Sequence, residues 1–127
     1  DCWAYEPPHP FDTLLLMMNG IGFVSYVHRI APFLEKSREW LAPGGQILLD
    51  STDLSINVPG IPHKNPSPDY WGEMTYELGF RGQFAEPLTW LYLAPDLLKQ
   101  EANAAGWHMQ VIYEGDDGHY LARLTMQ

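Results

Sequence analysis

The stretch Phe11 to Gly22, FDTLLLMMNGIG, constrains this chain more than any other. From Thr13 to Met18 nearly every side chain is apolar, so both faces are expected to be covered, as in an interior strand of a parallel sheet. Such a strand needs helices around it. The run stops at Asn19, Gly20 and Gly22, and glycine lets a backbone approach a ligand that a Cβ would block. In open α/β sheets ligands bind at that end of the strands. The segment therefore reads as both the spine of the fold and the floor of a site.

The rest of the chain supplies what such a strand requires. DCWAYEPPHP, residues 1 to 10, reads as an extended lead-in without helix because of its three prolines. Tyr26 to Leu41 carries apolar residues near a helical period, and Pro32 either kinks that helix or opens a second one. Ala42-Pro43-Gly44-Gly45 stops it, and Gln46 to Ser51 reads as a second buried strand. Strand, helix, strand implies a right-handed parallel crossover. Residues 52 to 70, with four prolines between Pro59 and Pro68, read as a long loop.

Beyond it, Glu73 to Phe80 alternates Met74, Tyr76, Leu78 and Phe80 with Glu73, Thr75, Glu77 and Gly79, predicting a half-exposed strand. Arg81-Gly82 turns it back into Phe84 to Leu93. Pro95 and Asp96 open a helix that Gly106 closes. Trp107 to Tyr113 and Tyr120 to Met126, joined by the acidic turn 114–119, are predicted as antiparallel neighbours. The chain divides into a strand-helix-strand unit (1–54), a loop and hairpin (55–93), and a helix with a terminal strand pair (94–127), all in one domain.

Charge and composition narrow the partners. Seven basic against sixteen acidic residues give a formal charge of −9, which disfavours nucleic acid and anionic membrane surfaces. No apolar run approaches the roughly 18 residues of a spanning helix. Cys2 is the only cysteine, so an intramolecular disulfide and a thiolate zinc site are excluded, and a cytoplasmic location is expected. The five histidines, His9, His28, His63, His108 and His119, show no metal-ligand spacing and read as surface or core residues. No metal is expected. The start at Asp1 instead of a methionine suggests a chain that was cut, processed or expressed as a piece.

The order FDTLLLMMNGIG, helix, LAPGGQILLDSTD, hairpin, APDLLKQEANAAGW and a closing strand pair resembles the C-terminal half of class I, Rossmann-like S-adenosylmethionine-dependent methyltransferases. The resemblance implies an α/β fold contributing the fourth, fifth, sixth and seventh strands of a sheet ordered three-two-one-four-five-seven-six. The seventh is antiparallel, and an inserted β-hairpin is added. It also implies transfer of a methyl group from S-adenosylmethionine, with S-adenosylhomocysteine as product, to an unidentified, small-molecule acceptor. The family's glycine-rich cofactor loop and the acidic residue ending its second strand have no counterpart here.

By position in the resemblance, Asp1 and Cys2 fall where an acidic residue and the next backbone N–H meet the adenine. Met17, Met18, Asn19 and Gly20 fall beside the methionine part, with Asn19 orienting the acceptor. Ser51 and Asp53 line the same crevice, and Tyr70 and Trp71 belong to a lid over substrate. Each has a plainer alternative. Asn19-Gly20 also serves as a strand-ending turn, Asp1 as a frayed end, Asp53 as a local cap, and Tyr70 and Trp71 as packing aromatics. A competing function is a non-catalytic half-domain that needs a partner chain. In either case the unpaired strand 11–18 is expected to drive self-association.

Overall fold

The computed structural model describes residues 1–57 and 70–127. In chain order the regular elements are β1 (Phe11–Leu16), α1 (Ile30–Trp40), β2 (Leu41–Thr52), a short α2 (Leu54–Asn57), β3 (Glu73–Tyr76), β4 (Gly79–Phe80), β5 (Gln83–Phe84), β6 (Leu88–Leu91), α3 (Pro95–Ala104), β7 (Trp107–Glu114) and β8 (His119–Met126). Most of the proline-rich loop expected over 52–70, residues 58–69, lies outside the described residues.

One mixed sheet carries the domain, in the order β1-β2-β8-β7. β1 and β2 are parallel, in register from Thr13 opposite Gln46 to Leu16 opposite Leu49, and β8 runs antiparallel to both β2 and β7. This is the four-five-seven-six arrangement expected from the sequence. It follows from the connections: α1 spans the parallel crossover, while four residues between β7 and β8 suffice for an antiparallel pair.

Helix α1 buries Ile30, Phe33, Leu34, Ser37 and Trp40, one stripe at spacings of three and four. It begins at Ile30, later than the predicted Tyr26, because residues 20–24 and 27–29 form 3-10 turns instead. Pro32 sits in its first turn, where no N–H is required, and the helix does not break there. Near its other end Arg38 donates to the carbonyls of Ala105 and Gly106 at 2.8 and 3.0 Å, satisfying orphan acceptors at the end of α3. Gly106, at φ +81°, makes the left-handed turn that lets α3 stop there.

β2 starts at Leu41 directly after α1, and Ala42 to Gly45 form a bulge between the Phe11–Leu41 and Thr13–Gln46 pairs. The lead-in is not wholly extended: Asp1 caps a 3-10 turn at Cys2–Ala4 by accepting from the Trp3 N–H. The hairpin splits into two ladders, β3–β6 and β4–β5, and its apolar alternation does not mark a buried face. Leu78, Phe80 and Phe84 are exposed, whereas Glu73 is buried and accepts from the Val27 N–H at 3.1 Å.

The core lies on one face of the sheet. Ile47, Leu49, Tyr120, Ala122, Leu124, Trp107 and Met109 meet α1 and α3 there with essentially no exposure. Each large aliphatic so buried stabilises by about 1.5–3 kcal/mol. Among the described residues no helix covers the opposite face, and β1 is an edge strand. Leu15, on that open face, is 64% exposed, so β1 is not covered on both sides as its composition suggests. Among the described residues no helix is long and apolar enough to cross a membrane.

Candidate functional site

β1 ends at Leu16, two residues earlier than read from the sequence, and the chain then departs from ordinary backbone geometry. Met18 and Asn19 both take left-handed φ values, +59° and +56°, and Ser25 follows at +71° with the Tyr26 N–H bonded to the Val24 carbonyl. Non-glycine residues in these regions carry strain that persists only when neighbours enforce it, and such strain gathers at functional sites. The Asn19 side chain accepts from Thr52 Oγ1 at 2.9 Å, and its carbonyl accepts from Trp90 Nε1 at 2.9 Å. With Oδ1 taken, the Nδ2 amide is the group left to donate to a ligand.

Close approach of backbone is required at Gly22, not at Gly20. A Cβ at Gly22 would lie 2.0 Å from Trp90 Nε1, whereas one at Gly20 would meet only Leu16 Cβ at 3.5 Å. The strand-ending turn and the candidate ligand contact at Asn19 are thus one structure, pinned by Thr52 and Trp90.

The lead-in is held against α1. Trp3 and Phe23 meet Phe33 edge-on, with ring centroids 6.2 and 5.2 Å away, and Trp40 Nε1 donates to the Tyr5 carbonyl at 3.0 Å. Cys2 thereby borders an apolar hollow of about 300 Å³ shared with Leu14, Leu15, Leu16 and Phe23, beside the end of β1. Asp1 is exposed, and its carboxylate caps the turn.

The remaining sequence candidates divide. Ser51 is fully buried and its Oγ accepts from the Leu93 N–H at 3.0 Å, so its hydroxyl faces the core and not the crevice. Asp53 takes the capping alternative: its Oδ1 accepts from the Ser55 N–H and hydroxyl at the start of α2. Tyr70 packs against Trp71, centroids 4.8 Å apart, and its hydroxyl accepts from the Ala94 N–H at 3.0 Å. Burial, with Asp53 and Glu73 nearby, pushes the Tyr70 phenol up to about 12. Tyr70 also borders a cavity of about 430 Å³ with Val27, His28, Glu73 and Leu97.

Two residues with no site role expected from the sequence, Asp50 and His119, meet at the C-terminal end of β2. His119 Nε2 and Asp50 Oδ2 lie 2.6 Å apart, on the open face of the sheet. Thr52, the Asn19 partner, stands opposite His119 in the β2–β8 ladder. No spacing signal announces a pair 69 residues apart. Among the described residues no group of three or more His, Cys, Asp or Glu side chains forms a metal cluster.

Comparison with known proteins returns methyltransferases. No protein-family model matches the chain. Neither does any curated protein. Among solved structures, a SAM-dependent methyltransferase from Bacteroides fragilis, in complex with S-adenosyl-L-homocysteine, is 31% identical with a TM-score of 0.82, over 98% of this chain and 52% of that one. The CcbJ methyltransferase from Streptomyces caelestis is 13% identical with a TM-score of 0.68, over 98% and 65% of the two chains. The glycopeptide N-methyltransferase MtfA is 16% identical with a TM-score of 0.59, over 100% and 59%. The chain spans about half to two thirds of the length of these structures. In fold, then, the chain corresponds to the C-terminal half of class I, Rossmann-like S-adenosylmethionine-dependent methyltransferases.

Proposed function

We propose that this chain supplies the acceptor-facing half of an S-adenosylmethionine-dependent methyltransferase acting on a small molecule. The observation that carries the reading is the β1-β2-β8-β7 order with β8 antiparallel, joined to 31% identity with a methyltransferase along nearly the whole chain. S-adenosylmethionine brings an electrophilic methyl group, and the protein's share is positioning and exclusion of water. The apolar hollow bordered by Cys2 and Leu16 suits the flat adenine ring, and Asp1 beside it suits the exocyclic amine. Met18, Asn19 and Gly20 take the methionine side, with the Asn19 amide orienting the acceptor. Tyr70 and Trp71 border the acceptor side. The glycine-rich loop has no counterpart in these residues, so the chain alone binds the cofactor weakly.

A second reading, a non-catalytic half-domain that assembles with a partner chain, draws on the open edge of β1 and the exposed Leu15. Turnover separates the two. The test supplies the polypeptide carrying this chain, as purified from its source cells, with radiolabelled S-adenosylmethionine and the low-molecular-weight fraction of those cells. Methyltransferase function gives labelled product and an equal amount of S-adenosylhomocysteine. Cofactor binding with no turnover supports the half-domain instead.

A further inference from the structure

The geometry points to His119 as the general base that takes the acceptor's proton during methyl transfer, with Asp50 as its positioning residue. This rests on the methyltransferase reading and names the acceptor class: a hydroxyl or an amine that must lose a proton.

Asp50 lies on β2 and His119 opens β8, so both stand at the end of the sheet where β1 and β2 finish. The Asp50 carboxylate, only 10% exposed, accepts from His119 Nε2 at 2.6 Å. In a neutral ring that bond puts the proton on Nε2, since a carboxylate only accepts, and leaves the Nδ1 lone pair free. No described residue bonds to Nδ1, and the imidazole is 42% exposed. The ring is therefore held at one nitrogen and open at the other. Its backbone is fixed too: the His119 N–H donates to Asp117 Oδ1 at 3.1 Å, and the Gly118 carbonyl accepts from the Asp53 N–H at 2.9 Å.

Position relative to Asn19 gives this arrangement its use. Thr52 stands directly opposite His119, where Cβ atoms of paired residues are about 4.5–5.5 Å apart, and Thr52 donates to Asn19 Oδ1. A donor amide and a basic imidazole thus flank one threonine at the ligand end of the sheet. Asp50 adds an independent sign: its Oδ1 is buried without a hydrogen-bond partner among the described residues. An ion pair serving stability alone gains nothing from that unsatisfied oxygen.

The step balances. The acceptor heteroatom forms its bond to the methyl carbon, the carbon–sulfur bond breaks with its electron pair left on sulfur, and the acceptor's proton moves to Nδ1. Asp50 stabilises the resulting imidazolium, as a carboxylate does beside a catalytic histidine.

The first test reads the proton. Nitrogen-15 spectra of the His119 ring, at a pH where it is neutral, should show the proton on Nε2 and a bare Nδ1. A proton on Nδ1 overturns the assignment. The second test uses the radiolabel assay above with His119→Gln, which keeps a donor toward Asp50 but accepts no proton. Methyl transfer should fall by about a hundredfold or more, within the usual range for a lost general base, with S-adenosylhomocysteine affinity within twofold of wild type. Asp50→Asn should lower turnover by about tenfold or more, again without moving that affinity. Turnover of His119→Gln within threefold of wild type, or loss of cofactor binding together with activity, overturns the proposal. Wild-type protein that transfers no methyl group removes the methyltransferase reading, and the base with it, whatever the spectra show.

Discussion

The indole N–H of Trp90 donates to the carbonyl of Asn19 at 2.9 Å, tying the return strand of the hairpin to the loop that follows β1 across 71 residues of sequence. The indole reaches that carbonyl because Gly22 has no side chain in its way. Gly22→Ala forces the ring aside and should cost about 1–3 kcal/mol, as overpacking does, measured by urea unfolding. Trp90→Phe removes the donor and should cost about 1 kcal/mol beyond its packing loss. A neutral Gly22→Ala would mean that the indole is free to swing away.

Asn19 separates stability from function, because its left-handed backbone and its amide are different properties. Asn19→Gly keeps the backbone and should hold stability within about 1 kcal/mol, while lowering methyl transfer through loss of the amide. Asn19→Ala should lose both. Paired measurements of unfolding and turnover check this, and equal turnover in Asn19→Gly would leave the residue as a turn former only.

Alkaline pH probes the tyrosines behind the site. Burial raises Tyr70, from an ordinary 10.0 to about 12, and Tyr76, aided by its hydrogen bond with Tyr92, also to about 12. Burial raises Tyr120 further still. The unfolded chain ionises first, so their contribution to stability is complete below about pH 10 and declines as pH climbs toward about 12. Urea midpoints should be level from pH 7 to 9 and fall between pH 10 and 12. Tyr70→Phe should flatten that fall, and should cost about 1–3 kcal/mol at neutral pH by orphaning the Ala94 N–H.

The open edge predicts association. With β1 unpaired on one side and Leu15 and Met18 exposed, the isolated chain should self-associate at micromolar concentration in sedimentation velocity. Leu15→Lys should return it to a monomer without loss of stability. A monomeric wild-type chain would show that the edge is protected by other means.

What the sequence made legible was the part governed by local periodicity. The apolar runs at 13–16 and 47–49 and the stop at Gly106 suffice for β1, the centre of β2 and the end of α3. The short 115–118 turn then forces β8 antiparallel. The hairpin misled because alternation implies a buried face only where something packs on it. Leu78, Phe80 and Phe84 are exposed, and Glu73 is buried and bonded to the Val27 N–H. The turn at Asn19 was legible from its place after an apolar strand. The orientation of Ser51 toward Leu93 and the meeting of Asp50 with His119 depend on strand register, which no local pattern encodes.

The most direct measurement is a calorimetric titration with S-adenosylhomocysteine, first of the 127-residue chain alone, then of the same chain joined to the N-terminal half of the Bacteroides fragilis methyltransferase. The chain alone should show no saturable binding at concentrations up to about 1 mM, and the joined protein a dissociation constant on the order of micromolar. Equally tight binding by the chain alone, or none by a joined protein that folds, would contradict this.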